Sequence, residues 1–150
     1  MVIKIVKILL VVGLLGVIGW VAVKQLRYKG MKRLRVGKEE VWVEVRDTDE
    51  ERQLGLSGRE GLKEDEGMLF VFEKAGRHGF WMKEMRFDLD FVFIKDNQVV
   101  ELMVEVKAPR LDEAPRSIRP TQEVEMVLEV NSGWVDDNSI KLDDVVSLTK

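Results

Sequence analysis

Acidic residues set among apolar ones are the first candidates for chemistry in this sequence. Asp88 and Asp90 flank Leu89, and in an extended chain residues two apart project to the same side. Paired carboxylates can share a proton or flank a glycosidic bond. One hypothesis is therefore a hydrolase that uses Asp90 with Glu129 or with Asp88. The alternative is structural, with Asp90 accepting hydrogen bonds from backbone amides or pairing with an arginine at a strand start.

An aromatic segment offers a surface for a ligand. Phe80 and Met82 alternate with Trp81 and Lys83, so the two pairs project from opposite faces of an extended segment. If the first pair belongs to the core, Trp81 and Lys83 face outward, where sugars and aromatic ligands pack on a Trp ring. The alternative is that Trp81 is itself a core residue.

Two opposite charges lie in apolar neighbourhoods, where an unpaired charge is costly. They are Arg59 and Asp90, and we expect them to pair. With Trp81 and Lys83 they form a predicted ligand-binding site for a small polar or anionic ligand. The alternative is that the Arg59–Asp90 pair only ties a helix and its loop to the sheet.

Metal and cofactor chemistry has little support. The chain has no Cys and one His, His78, which lies between Gly76 and Gly79 and is predicted to be a solvated loop residue. A single His without Cys excludes a structural zinc site of the usual kind. Acidic residues near positions 136–144 lack EF-hand spacing and are interpreted as solvated. No nucleotide-binding or serine-hydrolase motif occurs, so no metal and no cofactor are predicted.

Alternating apolar residues predict the strands that position these side chains. In 41–45, 100–106 and 126–130 every second residue is Val, Leu or Met. Thr48 and Glu51 form a capping box, which predicts a short helix that begins next to Thr48.

Short apolar runs separated by Gly fill residues 67–94 and predict further strands. No βαβ pattern is evident. The fold class is therefore predicted as mainly β, an antiparallel β-sandwich or partly open barrel with one or two short helices. Four large apolar residues are expected in one core: Phe70, Phe72, Leu102 and Leu128.

Several of these segments also resemble a known family. They read GMLF at 67–70, FWMK at 80–83, LD at 89–90 and VLEVNSG at 127–133, with GL at 55–56 before Arg59 and AP at 108–109. In this order they resemble the domain of unknown function 192 family over roughly residues 41–148. The chain departs from the pattern at Glu84, where the family usually has Asn, and it has no Tyr near 115–120. The resemblance implies a fold, no established activity, and an extracytoplasmic location.

The beginning of the chain predicts a membrane anchor. Residues 8–23 are uncharged and follow Lys4 and Lys7, and with the apolar residues before them they approach the length of a transmembrane helix. The predicted organisation is an anchor helix over 1–23, a basic juxtamembrane linker over 24–37 and a β-rich soluble domain over 38–150. A cleaved signal peptide is the alternative, although no small-residue cleavage pattern follows the run.

Charge is divided unevenly along the chain. Residues 1–35 carry a net charge of +8 and residues 36–150 a net charge of −11. An acidic domain repels phosphate backbones, which argues against nucleic acid. The basic stem would place the domain in the cytoplasm, opposite to the side that the resemblance implies. The leading hypothesis is a single-pass protein of the cell membrane whose non-enzymatic domain binds a small ligand or a partner protein.

Overall fold

The computed structural model describes residues 27–149. The chain divides into two compact units, Met1–Gly30 and Met31–Lys150, and the second is described here. Within residues 27–149, no helix has both the length and the apolar character needed to cross a membrane. The predicted anchor over 1–23 lies outside the described residues and stays a prediction.

The second unit is mainly β with two short helices, as predicted. The helices are α1 (Asp49–Leu54) and α2 (Trp134–Asp137). The strands are β1 (Lys32–Val36), β2 (Glu39–Arg46), β3 (Glu66–Gly76), β4 (Phe80–Trp81), β5 (Leu89–Lys95), β6 (Gln98–Val106), β7 (Ser117–Ile118), β8 (Val124–Asn131) and β9 (Val146–Thr149).

Seven of these strands form one sheet, in the order β6-β5-β8-β3-β2-β1-β9. The sheet curls into a half-barrel, because a bridge between Gln98 and Val145 joins the beginning of β6 to the segment before β9. β4 and β7 form a separate two-stranded ribbon. The partly open barrel was one of the two architectures predicted from the sequence.

One strand pair differs from the predicted antiparallel arrangement. β2 and β3 are parallel, with Val43 opposite Gly67 and Val45 opposite Leu69. A parallel pair requires a crossover connection, and here residues 47–65, which include α1, provide it. Such a short helix leaves a weak periodic pattern, so the crossover was not recognised.

The folded domain also begins earlier than predicted. β1 lies within residues 24–37, which the sequence suggested were a linker, and it pairs with both β2 and β9. Leu34 and Val36 are fully buried in the core. The boundary predicted at residue 38 therefore moves to the beginning of β1. The basic residues that alternate with Leu34 and Val36 concealed this strand.

The two faces of the curled sheet bury two separate clusters. The inner core draws residues from all seven strands, among them Leu34, Leu69 and Leu128. The outer core contains Phe70 and Met68, covered by residues outside the sheet such as Leu56, Met82 and Ile118. The prediction of a single core was wrong: Phe70 and Phe72 pack on the outer face, whereas Leu102 and Leu128 pack on the inner face.

Helix α1 begins as the sequence predicted. The Thr48 side chain accepts a hydrogen bond from the Glu51 backbone N–H, and the Glu51 carboxylate accepts one from the Thr48 backbone N–H. This reciprocal arrangement satisfies N–H groups that the first turn leaves without partners. It determines where the helix begins.

Candidate functional site

A buried carboxyl group lies at the centre of the outer face of the sheet. Glu129 belongs to β8, which pairs with β3 on one side and β5 on the other. Its neighbours across these pairs are Met68 and Phe91, both fully buried and apolar. Glu129 therefore leaves the sheet in the middle of an apolar surface.

The side chain of Glu129 has no internal partner. Its exposure is 6%, and its carboxyl group accepts no hydrogen bond from residues 27–149. Burial raises the pKa of Glu129 to about 8, because loss of water disfavours the ionised form. Among the described residues, Arg46 Nε is the side-chain atom that is fully removed from solvent without a hydrogen-bond partner, so the Glu129 oxygens keep some contact with the space of the cleft.

Glu129 lines a cleft of about 300 Å³ between the sheet and its cover. The sheet contributes Phe70 and Phe72 from β3, Leu89 from β5 and Glu129 from β8. Two segments outside the sheet provide the remaining wall, which consists of Asp49, Arg52, Gln53, Leu54, Gly55, Leu56, Ser57, Gly79, Phe80, Trp81 and Met85. The cleft is thus apolar and aromatic, with a single carboxyl group that has no partner.

The two cover segments are held together by hydrogen bonds. The Ser57 hydroxyl donates to the Lys83 carbonyl at 3.1 Å, and the Gly58 N–H donates to the Glu84 carbonyl at 3.1 Å. Gly55 ends α1 with a φ of 50°, a conformation that L side chains rarely adopt. A Cβ there would be 3.5 Å from the Phe70 ring, so a longer side chain would project towards the cleft.

Arg52 fixes α1 over the sheet. Its guanidinium donates to the carbonyls of Asp47 at 2.5 Å and Val71 at 2.7 Å, and to the Asp49 carboxylate at 2.6 Å. The guanidinium carbon also lies 5.1 Å from the centroid of the Phe72 ring. These contacts join α1 to β3, so Arg52 positions the wall of the cleft that α1 provides.

Asp90 has a structural environment. It is fully buried, and its carboxylate accepts hydrogen bonds from the backbone N–H groups of Glu105 at 2.8 Å, Gly133 at 3.0 Å and Val135 at 3.0 Å. Gly133 is the N-cap of α2, so Asp90 joins that helix to β5 and β6. The predicted pairing with Arg59 was wrong, and the alternative of bonds to backbone amides is confirmed.

Arg59 pairs with a different carboxylate. Its two terminal nitrogens donate to the two oxygens of Glu44 at 2.6 and 2.8 Å. These hydrogen bonds lower the pKa of Glu44 and raise that of Arg59. Arg59 thereby ties the segment after α1 to β2, and it does not line the cleft.

Of the four predicted ligand-binding residues, only Trp81 lines the cleft. Its side chain is 57% exposed, and the Lys83 ammonium lies 5.6 Å from the centroid of its ring. Met82 is buried and Phe80 packs against the outer core, so the predicted alternation of this segment is confirmed. Trp81 and Lys83 lie together at the rim, away from the contacts of Arg59 and Asp90.

The carboxylate pairs of the hydrolase hypothesis do not form around this cleft. Asp90 is opposite Val130 and Phe91 is opposite Glu129, so Asp90 and Glu129 project from opposite faces of the sheet. Asp88 accepts hydrogen bonds from the Ala108 N–H and the Lys107 ammonium. Burial opposes its ionisation, but these bonds outweigh burial and hold the pKa of Asp88 below its usual value.

His78 packs against an aromatic ring. The His78 ring stacks on Phe72 at a centroid distance of 3.6 Å, so it is a packed rather than a freely solvated loop residue. Within the described chain, no group of three His, Asp or Glu side chains is arranged to hold a metal ion.

The sequence indicated the wrong environment for Glu129. It was considered only as a possible partner of Asp90, because its alternation with Leu128 and Val130 suggested a solvated face. The available signal was Val127, which projects from the same face as Glu129 and is fully buried. An apolar residue on the polar face of a strand indicates that something covers that face.

Comparison with known proteins supports the resemblance seen in the sequence. The model of DUF192, a family described only as an uncharacterised ACR, matches residues 32–148. The chain belongs to the DUF192 family. None of the curated proteins matches it.

Two solved structures resemble this DUF192 domain. One is described as a proposed transcription regulator from Sinorhizobium meliloti, with 27% identity, a TM-score of 0.70 and coverage of 79% of this chain and 93% of that one. The other is a protein of unknown function from Novosphingobium aromaticivorans, with 26% identity, a TM-score of 0.70 and coverage of 78% and 84%. These similarities establish the DUF192 fold and assign no activity to the cleft.

Proposed function

We propose that this DUF192 protein is a non-enzymatic module that binds a small molecule in the cleft lined by Glu129. One observation carries the proposal. A carboxyl group that is 6% exposed and has no hydrogen-bond partner within residues 27–149 opens into an aromatic cleft of about 300 Å³. A ligand with an apolar body and one polar group would match both parts.

The energetic argument begins with the cost of Glu129. Placing a carboxyl group on an apolar surface with little access to water costs free energy, and an apolar residue would fill this position without that cost. Small-molecule sites combine apolar walls with a few polar groups that orient the ligand. Strongly shifted carboxyl groups in clefts are also frequent at functional sites. Ligand binding therefore accounts for a feature that stability alone does not explain.

The cleft favours a polar ligand over the anionic one that was also considered. Lys83 is not among the lining residues, and the Arg52 guanidinium is held by three internal acceptors. An ionised Glu129 would repel an anion. A ligand that donates a hydrogen bond to this carboxyl group is the better match.

The proposal includes the predicted anchor. A segment over 1–23 that crosses the membrane would tether the domain that contains the cleft to the lipid bilayer. The net charge of −11 over residues 36–150 supports a partner other than nucleic acid.

A fragment screen tests the proposal. The full chain in lipid nanodiscs would be screened by NMR against small aromatic compounds, since detergent tails would compete for an apolar cleft. We expect compounds that shift the resonances of Gly55 and Gly79, with affinity weakened about tenfold or more in Trp81→Ala. The matched control is Leu111→Ala, which truncates a fully exposed apolar side chain outside the cleft. Compounds that bind only elsewhere, or equal affinity for the two variants, would contradict the proposal.

A further inference from the structure

We propose that the ligand of the Glu129 cleft is an organic cation, an amine or ammonium group on an apolar body, whose charge is neutralised by the Glu129 carboxylate. This inference rests on the proposed ligand-binding function and specifies the class of ligand. It is supported by the charges of the cleft, by its aromatic walls and by the absence of a protein counter-ion within the described residues.

The charges that line the cleft leave Glu129 without a counter-ion. Asp49, Arg52 and Glu129 are the charged residues among the lining side chains. Asp49 and Arg52 pair with each other at 2.6 Å, so their charges largely cancel for a ligand on the floor. Arg59 is held by Glu44. When Glu129 ionises, the cleft gains one negative charge that no cation among residues 27–149 pairs with, and a cationic ligand can supply the missing partner.

The walls provide a second attraction for a cation. Four aromatic rings line the cleft: Phe70, Phe72, Phe80 and Trp81. The faces of aromatic rings are electronegative and attract ammonium and guanidinium groups. Arg52 already lies over Phe72 and Lys83 over Trp81, so Phe70 and Phe80 are the rings over which no cation of the described residues lies. A neutral apolar ligand would gain the contact area but not this electrostatic attraction.

The surrounding charge favours the approach of cations. Residues 31–150, with 27 acidic and 19 basic residues, carry a net charge of −8, and a field of one sign raises the local concentration of ions of the opposite sign. The same field would keep small anions away. The acidic composition that argued against nucleic acid thus supports a cationic ligand.

Binding should exchange a proton for the cation. Burial raises the pKa of Glu129 to about 8, so the empty cleft holds a neutral carboxyl group at pH 7. The cross-strand neighbours of Glu129 are Met68 and Phe91. The other cleft residues from the sheet, from β4 and from the segment after α1 do not titrate: Phe70, Phe72, Leu89, Phe80, Trp81, Gly55, Leu56 and Ser57. Only Asp49 and Arg52 of α1 bring charges, and these are paired. An incoming ammonium group therefore displaces the carboxyl proton to solvent while the ligand keeps its own charge.

Calorimetry with a matched pair of probes tests the inference. Phenethylamine and phenylethanol share an apolar body, but only the amine is a cation at pH 8. For the full chain in nanodiscs, we expect the amine to bind at least about tenfold more tightly than the alcohol. Glu129→Gln should abolish this preference. Glu123→Gln, a change of the same type at an exposed position before β8, should retain it.

Proton release provides a readout that a general loss of folding would not imitate. Titrations at pH 7 in buffers of different ionisation enthalpy should show release of about one proton per bound amine. The amine affinity should rise about tenfold per pH unit towards pH 8 and then level off. Equal affinity for the amine and the alcohol in all three proteins would contradict the proposal of a cationic ligand, but not the proposed ligand-binding function. If neither probe binds, the proposal of a cationic ligand is also contradicted. The fragment screen would then test separately whether the cleft binds any small molecule.

Discussion

Asp90 and Glu129 lie on adjacent strands, one register position apart, and project from opposite faces of the same sheet. Both carboxyl groups are buried, with exposures of 0% and 6%. Asp90 accepts three backbone hydrogen bonds on the inner face, whereas Glu129 accepts none from residues 27–149 on the outer face. The buried Asp90 carboxylate therefore holds the fold together, whereas we propose that the buried Glu129 carboxyl group binds a ligand.

Asp90→Asn should destabilise the domain by about 3 kcal/mol in urea unfolding. The three N–H groups that meet the carboxylate require three acceptor positions, and an amide presents an NH₂ group to at least one of them. Asp112→Asn, the same change at an exposed position, is the matched control and should shift stability by less than about 0.5 kcal/mol. Similar unfolding midpoints for the two variants would show that the bonds to α2 and β6 contribute little.

Glu129 should lower the free energy of unfolding as the pH rises, whereas most carboxylates raise it. Its folded pKa of about 8 is above the ordinary value of 4.5, so between these pH values the folded chain holds a proton that the unfolded chain has lost. Stability from this group is full below about pH 4.5, falls as the pH rises towards 8, and is constant above it. The expected loss is a few kcal/mol.

The measurement is the free energy of unfolding from pH 5 to pH 9 for wild type, Glu129→Gln and Glu123→Gln. The Glu129→Gln protein should gain stability relative to wild type as the pH rises, because its amide does not titrate. The free energy of unfolding of the Glu123→Gln protein should change with pH in the same way as that of wild type. A constant difference between wild type and Glu129→Gln across this range would mean that the carboxyl group is hydrated in the folded protein.

Arg59 and Glu44 should couple weakly but measurably. Their side chains are 33% and 29% exposed, so solvent screens part of the attraction, and we expect a coupling free energy of about 1 kcal/mol. A double-mutant cycle with Arg59→Ala and Glu44→Ala isolates this quantity. A second cycle with Arg59→Lys should give less, because Lys cannot reproduce the two-pronged contact. Coupling that persists undiminished in 1 M salt would disagree with a partly exposed pair.

Two truncations test the anchor and the corrected boundary together. The full chain should sediment with membranes and resist alkaline carbonate, whereas a chain beginning at Met31 should be soluble and folded. A chain beginning at Lys38 should unfold or aggregate, since it lacks β1 with the fully buried Leu34 and Val36. Extraction of the full chain by carbonate would count against a membrane-spanning segment. Equal stability of the two shorter chains would contradict the central role of β1.

Local patterns predicted local structure well. The alternation within β2, β6 and β8 and the capping box of Thr48 gave the correct elements because these signals depend on neighbouring residues. The direction of pairing between β2 and β3 was missed, because alternation does not show whether a strand pairs in parallel. β1 was missed since its buried Leu34 and Val36 alternate with basic residues that resemble a juxtamembrane stem.

The candidate site was less predictable than the fold. Trp81, predicted to contact a ligand, does line the cleft, because its alternation with Met82 determined which face it occupies; the ligand contact itself stays a prediction. Glu129 was not assigned to the ligand site, since its burial depends on a cover that comes from residues 47–65 and 77–88. Arg59 and Asp90 were both recognised as requiring partners, but charge alone could not indicate that these would be Glu44 and backbone amides.

The origin of the cleft walls has a consequence for the divergence of such domains. The sheet strands β3, β5 and β8 form one side of the cleft. The two cover segments, residues 47–65 and 77–88, form the other side, and each of them connects two strands of the sheet. Changes in the two connecting segments would alter the size and chemistry of the pocket while leaving the inner core and the strand register untouched. Sequence changes in these two connecting segments would therefore allow related domains to bind different ligands on the same sheet.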